Sequence, residues 1–257
     1  MSRIGIITGS RIEARCLGST SFAVVGTGAN ADRARAEAER LIQGGAKALV
    51  SFGLAGGLSP ELAAGALLLP EVVLGPDGIP YRVDARWREA LQSRMAAAGL
   101  ACRGGLLACS DRLVATPGAK RKLFERTGAL AVDMESQGVA AVARARRVPL
   151  LVLRAIADPA DQEVPQAALA ALGPDGRTRI LSLLAALARR PRDVPLLVRL
   201  ARTSQPGLET LRAAVAAAGP DLALPPVEPV KETARAAGTD SARGAAPRPR
   251  AASAKKR

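Results

Sequence analysis

The 257-residue chain contains no histidine. That absence removes Ser-His-Asp and Cys-His catalysis and every imidazole-ligated metal, and it leaves acid–base chemistry to Asp, Glu, Lys, Tyr or Cys. Cysteine is scarce too. Cys16, Cys102 and Cys109 are odd in number and show no C-x-x-C spacing, which argues against a disulfide framework and against a zinc site. Free thiols at this density fit a reducing cytoplasm. The five aromatic residues (three Phe, one Trp, one Tyr) cannot fill a core, so packing must rest on Ala, Leu and Val. No apolar run approaches the roughly 20 residues of a spanning helix. The opening Met1–Gly9 is too short for a signal peptide and reads as a first strand. A soluble, cytoplasmic protein is expected.

What the chain has in excess is positive charge, +14 in all. From Lys231 onward, eight basic residues stand against Glu232 and Asp240, so the tail carries +6 and the rest +8. The tail is Ala, Pro, Arg and Lys with almost no large apolar residue, which predicts a disordered, solvated segment rather than a specific nucleic-acid reader. The expected organisation is one α/β domain over residues 1–220, with residues 177–218 helical and basic, and a disordered basic tail over 221–257.

Along the chain, strands are predicted at 3–8, 22–25, 47–52, 66–74, 106–109, 129–132 and 150–157. Helices are predicted at 31–43, 85–98, 118–126 and 135–146. Asn30 or Asp32 starts the first helix and Gly44-Gly45 stops it. The alternation argues for a mixed α/β sheet with a substantial parallel part, flanked by helices. Beyond Asp161 the pattern is helical only: 177–189, 194–202 and 208–218, rich in Leu and Ala with interspersed Arg. Such helices ordinarily pack on the sheet with arginines in solvent; a basic amphipathic pair can also lie on an anionic membrane.

Two segments carry chemistry. Asp133-Met134-Glu135-Ser136 sets carboxylates where a buried strand enters a helix, and Val148–Ala157 is an apolar run ending on Arg154-x-x-x-Asp158. Carboxylates are costly to bury without a purpose, and ligands of open α/β sheets sit beyond the carboxyl ends of the strands. Read alone, Asp158 before Pro159 is equally a helix N-cap, Glu135 a first-turn residue favoured by the helix dipole, and Glu13 a surface residue.

Four segments in order resemble the nucleoside phosphorylase and nucleosidase superfamily: Gly5-Ile6-Ile7 with Glu13; Ser51–Leu58 with Gly65 and Pro70; Asp133–Ser136; and Arg154–Asp158. The arrangement is similar to 5′-methylthioadenosine/S-adenosylhomocysteine nucleosidases, and most of all to hopanoid-associated phosphorylases, which remove adenine from adenosylhopane. The resemblance implies a nucleoside phosphorylase-like sheet with a helical C-terminal extension. It implies Asp158 as the acid that protonates the leaving adenine at N7, helped by desolvation from the strand before it. Glu135 would accept the ribose hydroxyls and Met134 would line the sugar. Glu13 would activate water, with Arg11 and Arg15 beside it favouring its charged form. Leu113 and Val114 would hold the base, Leu113 standing where relatives carry a stacking aromatic, and Ala55 and Gly56 would lie against the substrate. Asp133 is read as structural, one residue off the Met-Glu pair.

No metal or cofactor is implied, although phosphate could enter as a co-substrate. Ser51 and Leu54 stand where the phosphorolytic enzymes place phosphate-binding side chains, and leucine cannot donate to an anion; Arg3, Arg11 or Arg15 could supply charge, but water is the favoured nucleophile. Three readings follow. One is an adenosylhopane nucleosidase or phosphorylase, whose basic helices suit a lipid-linked substrate at the inner membrane. The second is a soluble methylthioadenosine/adenosylhomocysteine nucleosidase, and the third a non-catalytic nucleoside- or membrane-binding protein. A homo-oligomer is expected from the family.

Overall fold

The structure, a computed structural model, describes residues 3–18, 22–165, 168, 189 and 193–226. Ten strands form one sheet: β1 Ile4–Thr8, β2 Ala23–Gly26, β3 Ala48–Gly57, β4 Leu67–Leu68, β5 Val72–Leu74, β6 Pro80–Arg82, β7 Cys102–Arg103, β8 Leu106–Cys109, β9 Ala131–Asp133 and β10 Leu150–Asp158. Among the described residues six helices flank it: α1 Arg11–Arg15, α2 Ala31–Gln43, α3 Ala85–Ala97, α4 Pro117–Thr127, α5 Ser136–Arg146 and α6 Asp193–Ala218. Short polar side chains start the helices as their chemistry demands: Asn30, Asp84 and Thr116 each accept a backbone N–H of the first turn. Pro117 opens α4, and Gly128, at φ 66°, closes it in the left-handed conformation that glycine adopts without strain.

β3 and β10 form the parallel spine, and all nine residues of β10 are buried. β3 is forked along its other edge. Its first half pairs in parallel with β1, from Ile4↔Ala48 to Ile7↔Ser51; its last two residues pair antiparallel with β9, Gly56↔Val132 and Gly57↔Ala131. Between these pairings β1 departs and β9 arrives, so the ends of both strands meet beside residues 52–55 of β3. That gap is where the charged side chains gather.

Apolar residues cover both faces of the sheet. On one side Trp87, Leu91 and Met95 of α3 and Leu208, Leu211, Ala214 and Ala218 of α6 form a core with β1, β3 and β10. On the other, Ala34 and Ala38 of α2 and Val139, Ala140, Val142 and Ala143 of α5 pack on the same strands. The small residues let α2 and α5 approach closely: a Cβ on Gly138 would overlap the Ala31 carbonyl oxygen. Gly138→Ala gains about 1 kcal/mol of helix propensity but must separate the helices, and overpacking costs about 1–3 kcal/mol. Urea denaturation of this variant is expected to give a lower midpoint; a raised one would refute the close contact.

Several boundaries depart from expectation. The Gly-rich segment after Phe52 is not a loop: β3 runs through it to Gly57, because β9 and β10 satisfy its backbone on both edges. The single strand predicted over 66–74 is two, β4 and β5, which pair with different neighbours around Pro70. The helices predicted at 194–202 and 208–218 are one helix, α6, running through Pro206. An interior proline costs about 3 kcal/mol. Tertiary packing offsets this: Pro206 sits against Gly65, Gly207 against Leu54 and the Ile156 carbonyl, and Leu208 and Leu211 enter the core. The compact unit runs to Pro225, past the expected limit of 220, because Leu222 and Ala223 are buried and the Trp87 indole donates to the Leu222 carbonyl at 2.7 Å. The predicted helix over 177–189, apart from Arg189, and the basic tail from Val227 onward lie outside the described residues. Among the described residues no helix is long and apolar enough to cross a membrane.

Candidate active site

At the fork of the sheet a fully buried arginine organises three carboxylates. Arg154 rises from the middle of β10, and its Nη2 lies 2.5 Å from Asp133 Oδ2 and 3.5 Å from Glu135 Oε2. The same nitrogen donates to Ser51 Oγ at 2.7 Å and Ser136 Oγ at 3.1 Å, while Ser136 Oγ also bonds Asp133. Asp133, the last residue of β9, accepts the Ser136 N–H as well, so it caps α5 and anchors Arg154 together. Glu135 is therefore free of capping duty at the N-cap position of α5, and its carboxylate turns to the arginine. Arg154 Nε and Nη1 are buried and unpartnered.

Glu13 approaches from the β1 side. It is buried within the short helix α1, where it and Ser10 form a reciprocal capping box. Its Oε2 accepts the Ser10 N–H at 2.6 Å, and its Oε1 accepts the Leu54 N–H of β3 at 2.8 Å. Two glycines make room for this cluster. A Cβ on Gly9 would lie 2.6 Å from Glu135 Oε1 and 3.2 Å from Glu13 Oε2; one on Gly53 would lie 2.6 Å from Glu13 Oε1 and 2.7 Å from Arg154 Nη1. Glu13 and Glu135 thus flank Gly9, and Glu13 and Arg154 flank Gly53.

Three acids around one guanidinium cannot all ionise cheaply. Burial holds the Glu13 carboxyl above the usual range, opposed by Arg154 and by its backbone N–H bonds. Burial pushes Glu135 up to about 8, with Asp133 and Glu13 adding to the rise and Arg154 opposing it. Glu13 receives two short backbone N–H bonds and the Ser10 hydroxyl, whereas Glu135 receives the Met134 N–H at 3.3 Å and the Arg154 guanidinium at 3.5 Å. Arg154 favours the charged form of both glutamates against that burial. Arg11 and Arg15, expected to do so for Glu13, point to solvent.

Asp158 ends β10 opposite Gly56 and is not a helix cap. It lines a cavity of about 50 Å³ with Gly56, Arg112, Leu113, Val114, Val132, Asp133 and Met134. The structure thus gathers Gly56, Leu113, Val114, Met134 and Asp158 around one space, with Glu135 directly following Met134. Ala55 is buried beside Ile156 of β10 and does not line this cavity. Burial pushes Asp158 up to about 6, against the opposing charge of Lys120. Lys120, on α4, is wholly buried with its Nζ 2.6 Å from Asp158 Oδ2. Sequence reasoning missed it, since Lys120-Arg121-Lys122 reads as a solvated helix face. Its one signal was position, in the first turn of a helix capped by Thr116, beside the segment assigned to the base.

The other candidate nucleophiles are silent. Burial raises the Cys109 thiol far above its ordinary value, with Asp133 and Glu135 adding to the rise, and it pushes Cys102 up to about 11. Tyr81 is buried on β6 beneath Arg144, among other residues.

Residues 7–189, which hold the forked sheet and the acids converging on it, match the Phosphorylase superfamily. The chain belongs to that superfamily. It is 29% identical over 135 residues to an aminodeoxyfutalosine nucleosidase of Campylobacter jejuni, covering 46% of this chain and 59% of that protein. It is 30% identical over 125 residues to a futalosine hydrolase of Streptomyces coelicolor, covering 43% and 53%. The chain thus spans a little over half the length of these curated relatives. Its fold is that of the Helicobacter pylori 5′-methylthioadenosine/S-adenosylhomocysteine nucleosidase bound to butyl-thio-DADMe-Immucillin-A, with a TM-score of 0.61 at 18% identity over 84% of this chain and 98% of that one. The futalosine hydrolase of the same organism superposes with a TM-score of 0.60 at 19% identity, over 83% and 97%.

Proposed function

We propose that this protein is a nucleosidase that hydrolyses the N-glycosidic bond of an adenosyl compound and releases adenine, with adenosylhopane as the substrate. The observation that carries the reading is the gathering of buried acids: Asp158, raised by burial, beside one cavity, and Glu13 and Glu135, both raised by burial, around Arg154. Departure of a purine leaves an oxocarbenium-like sugar, so the base must gain a proton and the sugar must be met by negative charge and a nucleophile. Asp158 gives its proton to N7. Glu13 takes one from water held against the unpartnered N–H groups of Arg154. Glu135 accepts hydrogen bonds from the ribose hydroxyls, bonds that strengthen as positive charge develops on the sugar. Met134 lies under the sugar, and Leu113 and Val114 bound the base.

Water rather than phosphate is favoured by how the anion-binding groups are already used. Glu13 accepts the Leu54 N–H of the Gly-rich strand, Ser51 serves Arg154 and Ser136, and Arg3, Arg11 and Arg15 are exposed. A phosphate dianion entering there would meet Glu13 and Glu135 instead of a free arginine fork.

The substrate assignment rests on the likeness to hopanoid-associated phosphorylases. The aminodeoxyfutalosine nucleosidase and the methylthioadenosine/adenosylhomocysteine nucleosidase among the similar proteins favour a small adenosyl nucleoside as the second reading. The test is adenine release from adenosylhopane, methylthioadenosine, adenosylhomocysteine and aminodeoxyfutalosine, each with and without phosphate. The expected result is release from adenosylhopane at the same rate without phosphate, giving the free ribosyl product. Faster release from methylthioadenosine moves the assignment to the second reading, and a 1-phosphate product rejects water as nucleophile. Inactivity on all four substrates would reject the enzyme.

A further inference from the structure

Lys120 has no assigned role, yet it is the most tightly held cation beside the cavity. Its Nζ lies 2.6 Å from Asp158 Oδ2, 2.7 Å from the Pro159 carbonyl, 3.0 Å from the Gln162 carbonyl and 3.3 Å from the Asp158 carbonyl. A buried ammonium is costly unless paired, and Asp158 is its sole carboxylate partner among the described residues. The pairing uses one carboxyl oxygen only. Among the described residues no hydrogen bond engages Oδ1, while Asp158 lines the cavity.

We propose that Lys120 is a positioning residue for proton transfer: its ammonium fixes Asp158 Oδ2 in the wall, confines the transferable proton to Oδ1, and stabilises the carboxylate left behind. This rests on Asp158 being the proton donor to the purine. In the step itself, the Oδ1 proton moves to N7, the electrons of the glycosidic bond pass to the base, and the new negative charge on Asp158 forms beside the fixed ammonium. Lys120 thereby makes a buried, reluctant acid strong enough to give up its proton.

The surroundings leave Lys120 as the charge that acts on Asp158. Arg112, from the loop after β8, and Asp133, from β9, line the same cavity, but neither bonds Asp158, and Asp133 is committed to Arg154. Asp161 and Glu163, which follow β10, are exposed. The carbonyls of Pro159 and Gln162 hold Nζ from behind, and Gln162 is tied in turn to Thr203 of α6 at 2.9 Å, so the ammonium cannot swing away.

The test compares wild type, Lys120→Met, Lys120→Gln and Asp158→Asn by the pH dependence of adenine release. An opposite charge at this distance lowers a carboxyl pKa by about 1–3 units. Removing it is expected to move the alkaline limb of kcat/KM upward by at least one pH unit and to lower kcat at the optimum at least tenfold. Lys120→Gln keeps a donor for the carbonyls without the charge and should show the same limb shift. A packing role alone would lower rates with the limb unmoved, and that result overturns the proposal.

If Asp158→Asn retains wild-type activity, the assignment of the acid fails instead, which separates the two ideas. Should neither Lys120 variant fold, lysine ammonium NMR on wild type and Asp158→Asn decides. The Lys120 ammonium resonance should move when its anionic partner is removed, and an unchanged resonance rejects the pairing.

Discussion

Asp158→Asn is expected to lower adenine release by about 10²- to 10⁴-fold, the range general-acid catalysis contributes, while the far-UV spectrum stays close to wild type and the thermal midpoint falls because the buried Lys120 ammonium loses its charged partner. The fold should survive because the Lys120 ammonium keeps the carbonyls of Asp158, Pro159 and Gln162, and an amide oxygen can still accept from it. The pH profile sharpens the test. A general acid works only while protonated, so wild-type kcat/KM must decline as pH rises through the Asp158 value of about 6. On the acid side it must decline as Glu13 takes up a proton. Asn has no proton to lose, so the residual activity of Asp158→Asn should keep the acid limb and lack the alkaline one. An unaltered alkaline limb in this variant would assign it to another group.

Arg154→Met should be the most damaging single change to both stability and activity. The guanidinium holds Asp133, Glu135, Ser51 and Ser136 at once and is wholly buried. Removing one partner of a buried ion pair costs about 3–5 kcal/mol because the other charge is stranded. Replacing both partners with apolar groups is often neutral, so Arg154→Met/Asp133→Leu should regain much of the lost stability. It should not regain adenine release, since no donor remains to hold water beside Glu13. Chemical denaturation and adenine release on the single and double variants check both statements. A double variant as active as wild type would make Arg154 purely structural.

The readable and unreadable parts of this protein divide along the range of the interactions involved. Strand β8, helix α3 and the start of α2 follow from local signals: apolar runs, Asp84 and Asn30 caps, glycine stops. The carboxylates at 135 and 158 were visible because acids at the ends of buried strands break the apolar pattern, whereas Glu13, inside a short helix, stood out only through the family resemblance. What escaped depends on partners distant in sequence. Lys120 finds Asp158 across 38 residues, and Arg154 finds Ser51 across 103. The apolar run also ended the predicted third strand at Phe52, whereas the Gly-rich stretch continues it because two other strands pair with it. The two helices predicted at 194–202 and 208–218 are one, because packing on β10 carries α6 through Pro206.

The fork of β3 has a mechanical consequence. β1, β3 and β10 share long parallel ladders, whereas β9 joins β3 through only two residue pairs. The buried charged groups straddle that seam, with Glu13 and Arg154 on the broad side and Asp133 and Glu135 on the narrow one, and the Arg154–Asp133 bond acts as the clasp between them. Amide exchange should therefore be faster at Val132 and Asp133 than along Leu151–Ile156, and an occupant reaching from Glu135 to Glu13 should slow it by stitching the two halves together.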